Sequence, residues 1–245
     1  VSKAAIAATT AQQQFDAQLT SATGSPLLVA QEYQYLLDTA NRLGIGIKGI
    51  IKPYSDFAAS ARLAGMEAST QKRIFEAVTV TGTALRWSSE QQGRAFLALT
   101  QMIGKTTVMS EEYKKQLGEL IPNIIGLGAE AENTSTKGMF KMMKNSELLA
   151  LQHLPKLAEV LIKTFGPAAA EGAKTITAQQ ERLGNAVFEA SKRFDAATGI
   201  SEIYRNVLIG LTNAMDYLGV NMSSVIGTMG ALAGAGAGLA LSALL

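Results

Sequence analysis

Apolar residues recur along this chain three and four residues apart, the spacing that gathers them on one face of a helix. In residues 27–43, Tyr33, Leu36, Leu37, Ala40 and Leu43 form one such stripe. Ile74, Phe75, Val78 and Leu85 form a second, and Phe96, Leu99, Thr100 and Ile103 a third. Leu154, Leu157, Leu161 and Phe165 form a fourth. The punctuation between stripes predicts where each helix stops. A polar, Ala/Gln-rich helix over 2–19 has little to bury; Gly24 ends that region and Pro26 sits in a first helical turn. Gly44 and Gly46 supply the left-handed backbone of a C-cap. The next helix runs from about residue 50 to 63, with Pro53 in its first turn and Gly65 closing it. Ser69 or Thr70 caps its successor, and Ser88 with Gln91 reads as a capping box for a helix ending at Gly104.

Further on, Ser110 opens a helix whose first turn carries Glu111 and Glu112 at the positive end of its dipole. It ends near Pro122 or continues weakly through 123–131, and a short piece follows at 136–144. Ser146 is expected to cap the fourth stripe, Pro155 to bend or restart it, and Phe165–Gly166–Pro167 to stop it. A polar helix over 168–197, another over 201–218 and a tail from Asn221 complete the chain. The fold class is therefore all-α: a bundle of short helices in glycine- and proline-punctuated helix–loop–helix units, followed by a hydrophobic, Gly-rich C-terminal helix. The expected divisions are a polar N-terminal helix (1–24), a helical domain (25–166), a polar connecting helix (167–200) and a hydrophobic, membrane-active segment (201–245). No heptad runs through the middle, and no exact repeat is visible.

Composition agrees. Of 245 residues, 47% are hydrophobic but only 6% aromatic, and alanine and leucine carry much of the apolar content, which favours helix over strand. The chain begins at Val1 without methionine and reads as a piece of something longer; no apolar core follows Lys3, so no signal peptide is expected.

The tail changes the picture most. Residues 225–245 carry no charge, and 21 residues at ~1.5 Å each make a helix of roughly 30 Å, the thickness of a bilayer's hydrocarbon core. Gly230, Gly234 and Gly238 stand four apart, the spacing that lets helix backbones approach closely in an apolar solvent. With Val225, Leu232, Leu239, Leu241 and Leu244 they are the expected helix-packing or membrane residues. Three readings stay open: a membrane-inserting segment, a buried helix of an oligomeric assembly, and a flexible linker.

Candidate chemistry is sparse. There is no cysteine and one histidine, His153, so no thiolate or zinc site and no histidine relay is expected. His153 reads as a residue at a helix boundary with no fixed carboxylate partner. The net charge of +2 gives no nucleic-acid footprint. Gly104–Lys105–Thr106 ends like a phosphate-binding loop, but Leu99 stands where the first glycine belongs and a helical stripe leads in, so the triplet reads as a bend between helices. Glu111, Glu112 and Glu119 beside Lys114 and Lys115 read as ion pairs on a solvated face. Trp87 reads as core, and Met139, Met142 and Met143 as either an adaptable surface or core. No catalytic, cofactor-binding or metal residues are assigned, and no enzyme activity is expected.

An ordered set of segments, "FAASA" at 57–61, "ALTQMI" at 98–103, "SEEYKKQLGE" at 110–119 and "LPKLAEVL" at 154–161, resembles the tape measure proteins of long-tailed, siphophage-type bacteriophages across roughly 25–193. The chain departs from that family at "IPNIIGLG", residues 121–128, where such proteins tend to read Leu-Pro-Gly-Ala. The resemblance implies a structural chain in the lumen of the virion's tail tube that sets tail length. Implied partners are the tail tube protein, tail tip or baseplate proteins, tail assembly chaperones and further copies of itself. It also implies passage into the host inner membrane during genome ejection, with DNA met only in passage and without sequence-specific binding. The rival readings are a pore-forming or toxin-like helical protein and a soluble adaptor that oligomerises through the Gly-rich tail.

Overall fold

The computed structural model describes residues 2–220, and among them every regular element is a helix. The α-helices are α1 (Ser2–Thr23), α2 (Val29–Leu43), α3 (Ile47–Leu63), α4 (Ala68–Ala84), α5 (Ser89–Gly104), α6 (Ile124–Ala131), α7 (Thr136–Lys144), α8 (Ala150–Gly172), α9 (Ile176–Thr198) and α10 (Ile200–Val220). A 3-10 turn (Pro26–Leu28) and a π-helical turn (Glu111–Leu117) complete the order. The chain divides into two compact units, Gln13–Val187 and the residues on either side of it.

At the heart of the larger unit, α4 packs along α8, while α3 packs along α5 and α6 against α8. Ala77, Val78, Thr79, Val80, Thr81 and Gly82 are all buried, so this stretch of α4 has no solvent face. Its threonines fit there because each hydroxyl donates back along the helix, Thr79 to the Phe75 carbonyl and Thr81 to the Ala77 carbonyl, both at 2.8 Å. Aromatic rings tie the neighbouring helices together. Phe75 meets the edge of Tyr54 at 4.7 Å between centroids and stacks on Phe96 at 5.1 Å, and Phe96 lies 5.9 Å from Phe57. Beside them the buried Glu32 carboxylate accepts from the Tyr54 hydroxyl and pairs with Lys72 at 2.8 Å.

Several helix ends differ from expectation, each for a visible reason. Gly44 does end α2 at φ 69°, but Gly46 is extended at φ −76° and starts α3. Neither Ser69 nor Thr70 caps α4. The Glu67 carbonyl accepts from the N–H groups of Thr70 and Gln71, each at 3.0 Å, and so opens the helix earlier. Ser146 sits in a left-handed turn at φ 57° instead of capping α8. A short antiparallel bridge pairs Thr107 with Leu149, through Val108 N–H to the Leu148 carbonyl (2.8 Å) and Ala150 N–H to the Thr106 carbonyl (2.9 Å). It holds this stretch extended until Ala150. The Ser88–Gln91 capping box is present as read.

Three prolines lie within α-helices. Pro53 is well inside α3, and α8 runs straight through Pro155 and through the expected stop at Phe165–Pro167 to Gly172. Each proline removes one ladder bond. The carbonyls left over belong to Gly49, Leu151 and Lys163, none of them a buried residue, so water can take them. The long apolar face of α8 outweighs the loss. The segment opened by Ser110 is a single π-turn, closed by Gly118 N–H on the Tyr113 carbonyl (3.1 Å), and a fresh helix begins at Ile124. Asn123 takes the left-handed conformation at φ 57°, which asparagine tolerates better than most residues. Nor is α1 without a buried face: Phe15, Leu19 and Ala22 are in the core, and Arg62 donates to the Ala22 carbonyl at 3.2 Å.

The first part of α9 closes on the α2–α3 turn. Arg182 donates to the carbonyls of Asn41 (2.6 Å), Arg42 (3.2 Å) and Ala173 (2.8 Å), satisfying ends of two helices. The Asn185 side chain accepts from Ile47 N–H at 2.9 Å and donates to the Ile45 carbonyl at 3.0 Å. This approach needs Gly44, where a Cβ would stand 2.3 Å from the Ala178 Cβ. In the smaller unit, Gly199 turns at φ 64° and Asp195 accepts from Ser201 N–H (2.8 Å) and the Thr9 hydroxyl (2.5 Å).

Gly44→Ala is expected to cost about 3 kcal/mol, combining the left-handed backbone with overpacking on Ala178. Urea unfolding midpoints measure it. Adding Ala178→Gly should return part of the loss, which separates the steric share from the backbone share.

Candidate functional site

Gly230, Gly234, Gly238, Val225, Leu232, Leu239, Leu241 and Leu244 lie outside the described residues. Among the described residues no helix is long and apolar enough to cross a membrane. The Gly104–Lys105–Thr106 triplet is a helix end: Gly104 is the last residue of α5, Lys105 its C-cap, and Thr106 turns at φ 62°. The Lys105 ammonium pairs with Glu112, so it serves a buried carboxylate.

The most structured polar centre is one that the sequence did not announce. His153 lies in the first turn of α8, fully buried and with a carboxylate partner that the sequence did not suggest. Its Nδ1 lies 2.9 Å from Glu132 Oε1 and its Nε2 lies 3.1 Å from the Tyr113 hydroxyl. Lys156 Nζ reaches the other Glu132 oxygen at 2.7 Å. An ionised carboxylate can only accept, so Nδ1 carries the proton and donates to Glu132, leaving Nε2 to accept from Tyr113. Gly128 makes room for this, since a Cβ there would stand 2.1 Å from the Tyr113 oxygen.

The electrostatics follow from this geometry. Burial holds His153 below its ordinary value, outweighing the upward pull of Glu132. Burial pushes Glu132 upward, but hydrogen bonds from Lys156 and His153 win and set it below the ordinary carboxylate value. Burial, with the Glu132 charge adding to it, raises Tyr113. Hydroxyl, imidazole and carboxylate stand in the order of a nucleophile–base relay. Tyr113 and His153, however, are both fully buried, so a substrate has no access to either. The arrangement joins the π-turn, the end of α6 and α8.

The acidic and basic residues of 110–119 do not pair among themselves as read. Glu112 is buried and pairs with Lys105, while Glu119 meets Arg94 at 3.5 Å. The π-turn, with a wider register than an α-helix, accounts for the changed faces. Met139 and Met143 are core, and Met142 is half-buried. Trp87 is half-buried, donates to the Leu120 carbonyl at 3.2 Å, and lines a cleft of roughly 340 Å³ shared with Gly44, Gln92, Thr175 and Glu181. No group of His, Cys, Asp and Glu among the described residues is arranged to hold a metal.

Residues 3–196 match a family described as "Tape measure protein". Over 191 residues the chain is 27% identical to the "Probable tape measure protein" of Salmonella phage Felix O1 (isolate Felix O1-VT1), covering 76% of this chain and 25% of that protein. The matched part is thus about a quarter of the relative's length. No solved structure matches the chain.

The buried imidazole makes stability depend on pH with a definite sign. A histidine whose folded value lies below its unfolded one leaves the unfolded chain binding more protons, so stability falls as pH drops below the ordinary histidine value near 6.5. The lowered Glu132 adds a loss in the same direction at more acidic pH, near 4.5. His153→Gln should lower stability at neutral pH by about 1–3 kcal/mol through lost buried hydrogen bonds. Between neutral pH and pH ~5 its urea midpoint should fall less than that of the wild type. Equal slopes would remove His153 as the titrating group.

Proposed function

The chain belongs to the tape measure protein family, and we propose on that premise that it is a segment of a tail tape measure chain, lying in the tail tube lumen, where the length of the whole protein governs tail length. The observation that carries this reading is the family match over residues 3–196. The internal use of the buried polar groups is consistent with a structural role: Glu32, Glu112 and Glu132 each take a lysine of this same chain.

The finer mechanism concerns the tail. Residues 225–245, with Gly230, Gly234 and Gly238 on a four-residue period, are proposed to be shielded in the virion by further copies or by tube and tip proteins. After release they would exchange that environment for the host inner membrane and assist genome passage. Burial on either side gains ~25 cal/mol per Å² of apolar area, so the exchange is nearly balanced and a change of neighbours can drive it. Tail assembly chaperones would cover the segment before incorporation.

Two measurements test this. An in-frame deletion of residues 13–187 from the complete gene should abolish tails or change their length in electron micrographs; normal tails in normal number would overturn the assembly role. The intact chain should associate with neutral phosphatidylcholine vesicles, and deletion of 225–245 should abolish that association. If the deletion leaves association unchanged, the membrane role of the segment falls. Rapid lysis of cells by the isolated protein would favour a pore-forming toxin instead.

A further inference from the structure

Many cationic side chains of the larger unit pair with an acid. Arg42 pairs with Glu76, Lys52 with Asp56, Lys72 with Glu32, Arg73 with Glu159, Arg94 with Glu119, and Lys163 with Glu130. Arg62 and Arg182 are given over to backbone carbonyls, and one region gathers five lysines that have no acid among the described residues. Lys114 and Lys115 on the π-turn and Lys137, Lys141 and Lys144 on α7 are all exposed, and none forms an ion pair with an acid among the described residues. The acids nearest in sequence are engaged elsewhere, Glu112 with Lys105, Glu119 with Arg94 and Glu147 with Asn145, while Glu111 stays exposed on the same turn.

Helix geometry concentrates these charges. At 100° per residue, Lys137, Lys141 and Lys144 fall on one face of α7, with Phe140 among them. Met139 and Met143 occupy the opposite, buried face. Lys114 Nζ stands 5.7 Å from the Phe140 ring centroid, which brings the π-turn to the same surface. Phe140 is 41% exposed and Met109, just before the π-turn, 38%. The patch therefore sets Lys114 and the three α7 lysines about the exposed Phe140 ring, with Lys115 and the exposed Met109 on the adjoining stretch of chain.

We propose that this patch is a docking surface for an anionic lipid bilayer. Its chemistry selects that partner over others. All five cations are lysines, point charges on flexible stems that suit headgroup phosphates of no fixed arrangement. An interface for nucleic acid or for a carboxylate partner gains from the bidentate fork of arginine, and none is present among the five. A polyanion also leaves exposed Phe140 and Met109 unexplained, whereas a bilayer accepts apolar tips between its headgroups and lysines above them. The surface belongs to the folded unit and does not depend on residues 225–245, so it acts beside the proposed membrane segment.

The full-length chain, with and without Lys137→Gln, Lys141→Gln and Lys144→Gln together, is titrated with vesicles of phosphatidylcholine and of phosphatidylcholine mixed with phosphatidylglycerol. Mixed vesicles should bind the wild type more tightly, and salt should weaken that added affinity. At ~1 kcal/mol per lysine, the triple variant should lose on the order of 100-fold toward mixed vesicles. Its binding to neutral vesicles should be unchanged, and its circular dichroism should match the wild type. Phe140→Ser should lower mixed-vesicle affinity several-fold without removing the salt dependence. Deleting 225–245 abolishes neutral binding if the tail inserts and leaves the anionic increment, so the two proposals fail separately. Equal affinity of wild type and triple variant for mixed vesicles overturns the lipid surface. So does tighter binding of a short DNA duplex than of mixed vesicles at the same salt, which assigns the lysines to nucleic acid.

Discussion

The larger unit is organised by one constraint: a stretch of α4 must be hidden on every side. From Ala77 to Gly82 every residue is buried, so α3, α5 and α8 have to enclose the stretch. That demand explains why α8 stays continuous through two prolines, because breaking it would expose α4. It also explains the small and hydroxyl-bearing residues of the stretch, which allow close approach while each hydroxyl bonds within its own helix. The aromatic contacts of Tyr54, Phe75 and Phe96 fix how the surrounding helices are turned about it.

The carboxylates buried by this packing are each answered by a cation within the chain. Glu32 is held by Tyr54 and Lys72, Glu112 by Lys105, and Glu132 by His153 and Lys156. A buried carboxylate without a cation is costly, and each of these has one. They act as internal ties between segments distant in sequence. The chemistry that reaches solvent is found instead in the unanswered lysines around Phe140.

What the sequence disclosed follows the range of the interactions. Helical class, the capping box at Ser88 and the left-handed end at Gly44 depend on residues a few positions apart and could be read. The start of α8 could not, because Ser146 is overruled by a bridge to Thr107, forty residues upstream in the order of the chain. Pro167 signalled a stop on local grounds, and the packing of α8 on α4 prevailed. Asn123 turns in the left-handed region before α6, a conformation that its residue type tolerates. His153 was misjudged because both its partners come from other elements, at separations of 21 and 40 residues that obey no spacing rule. The residues expected to contact membrane fall in 225–245, outside the described part.

Packing also alters what a residue is worth as a measure of distance. About 175 residues drawn out as one helix would reach some 260 Å, at ~1.5 Å each. Folded as Gln13–Val187 are, a globule of that size has a radius of gyration near ~16 Å and a diameter of about 40 Å. Where helices fold back on α4, many amino acids therefore span little distance, and the same number of residues would reach several times further if they ran as one helix.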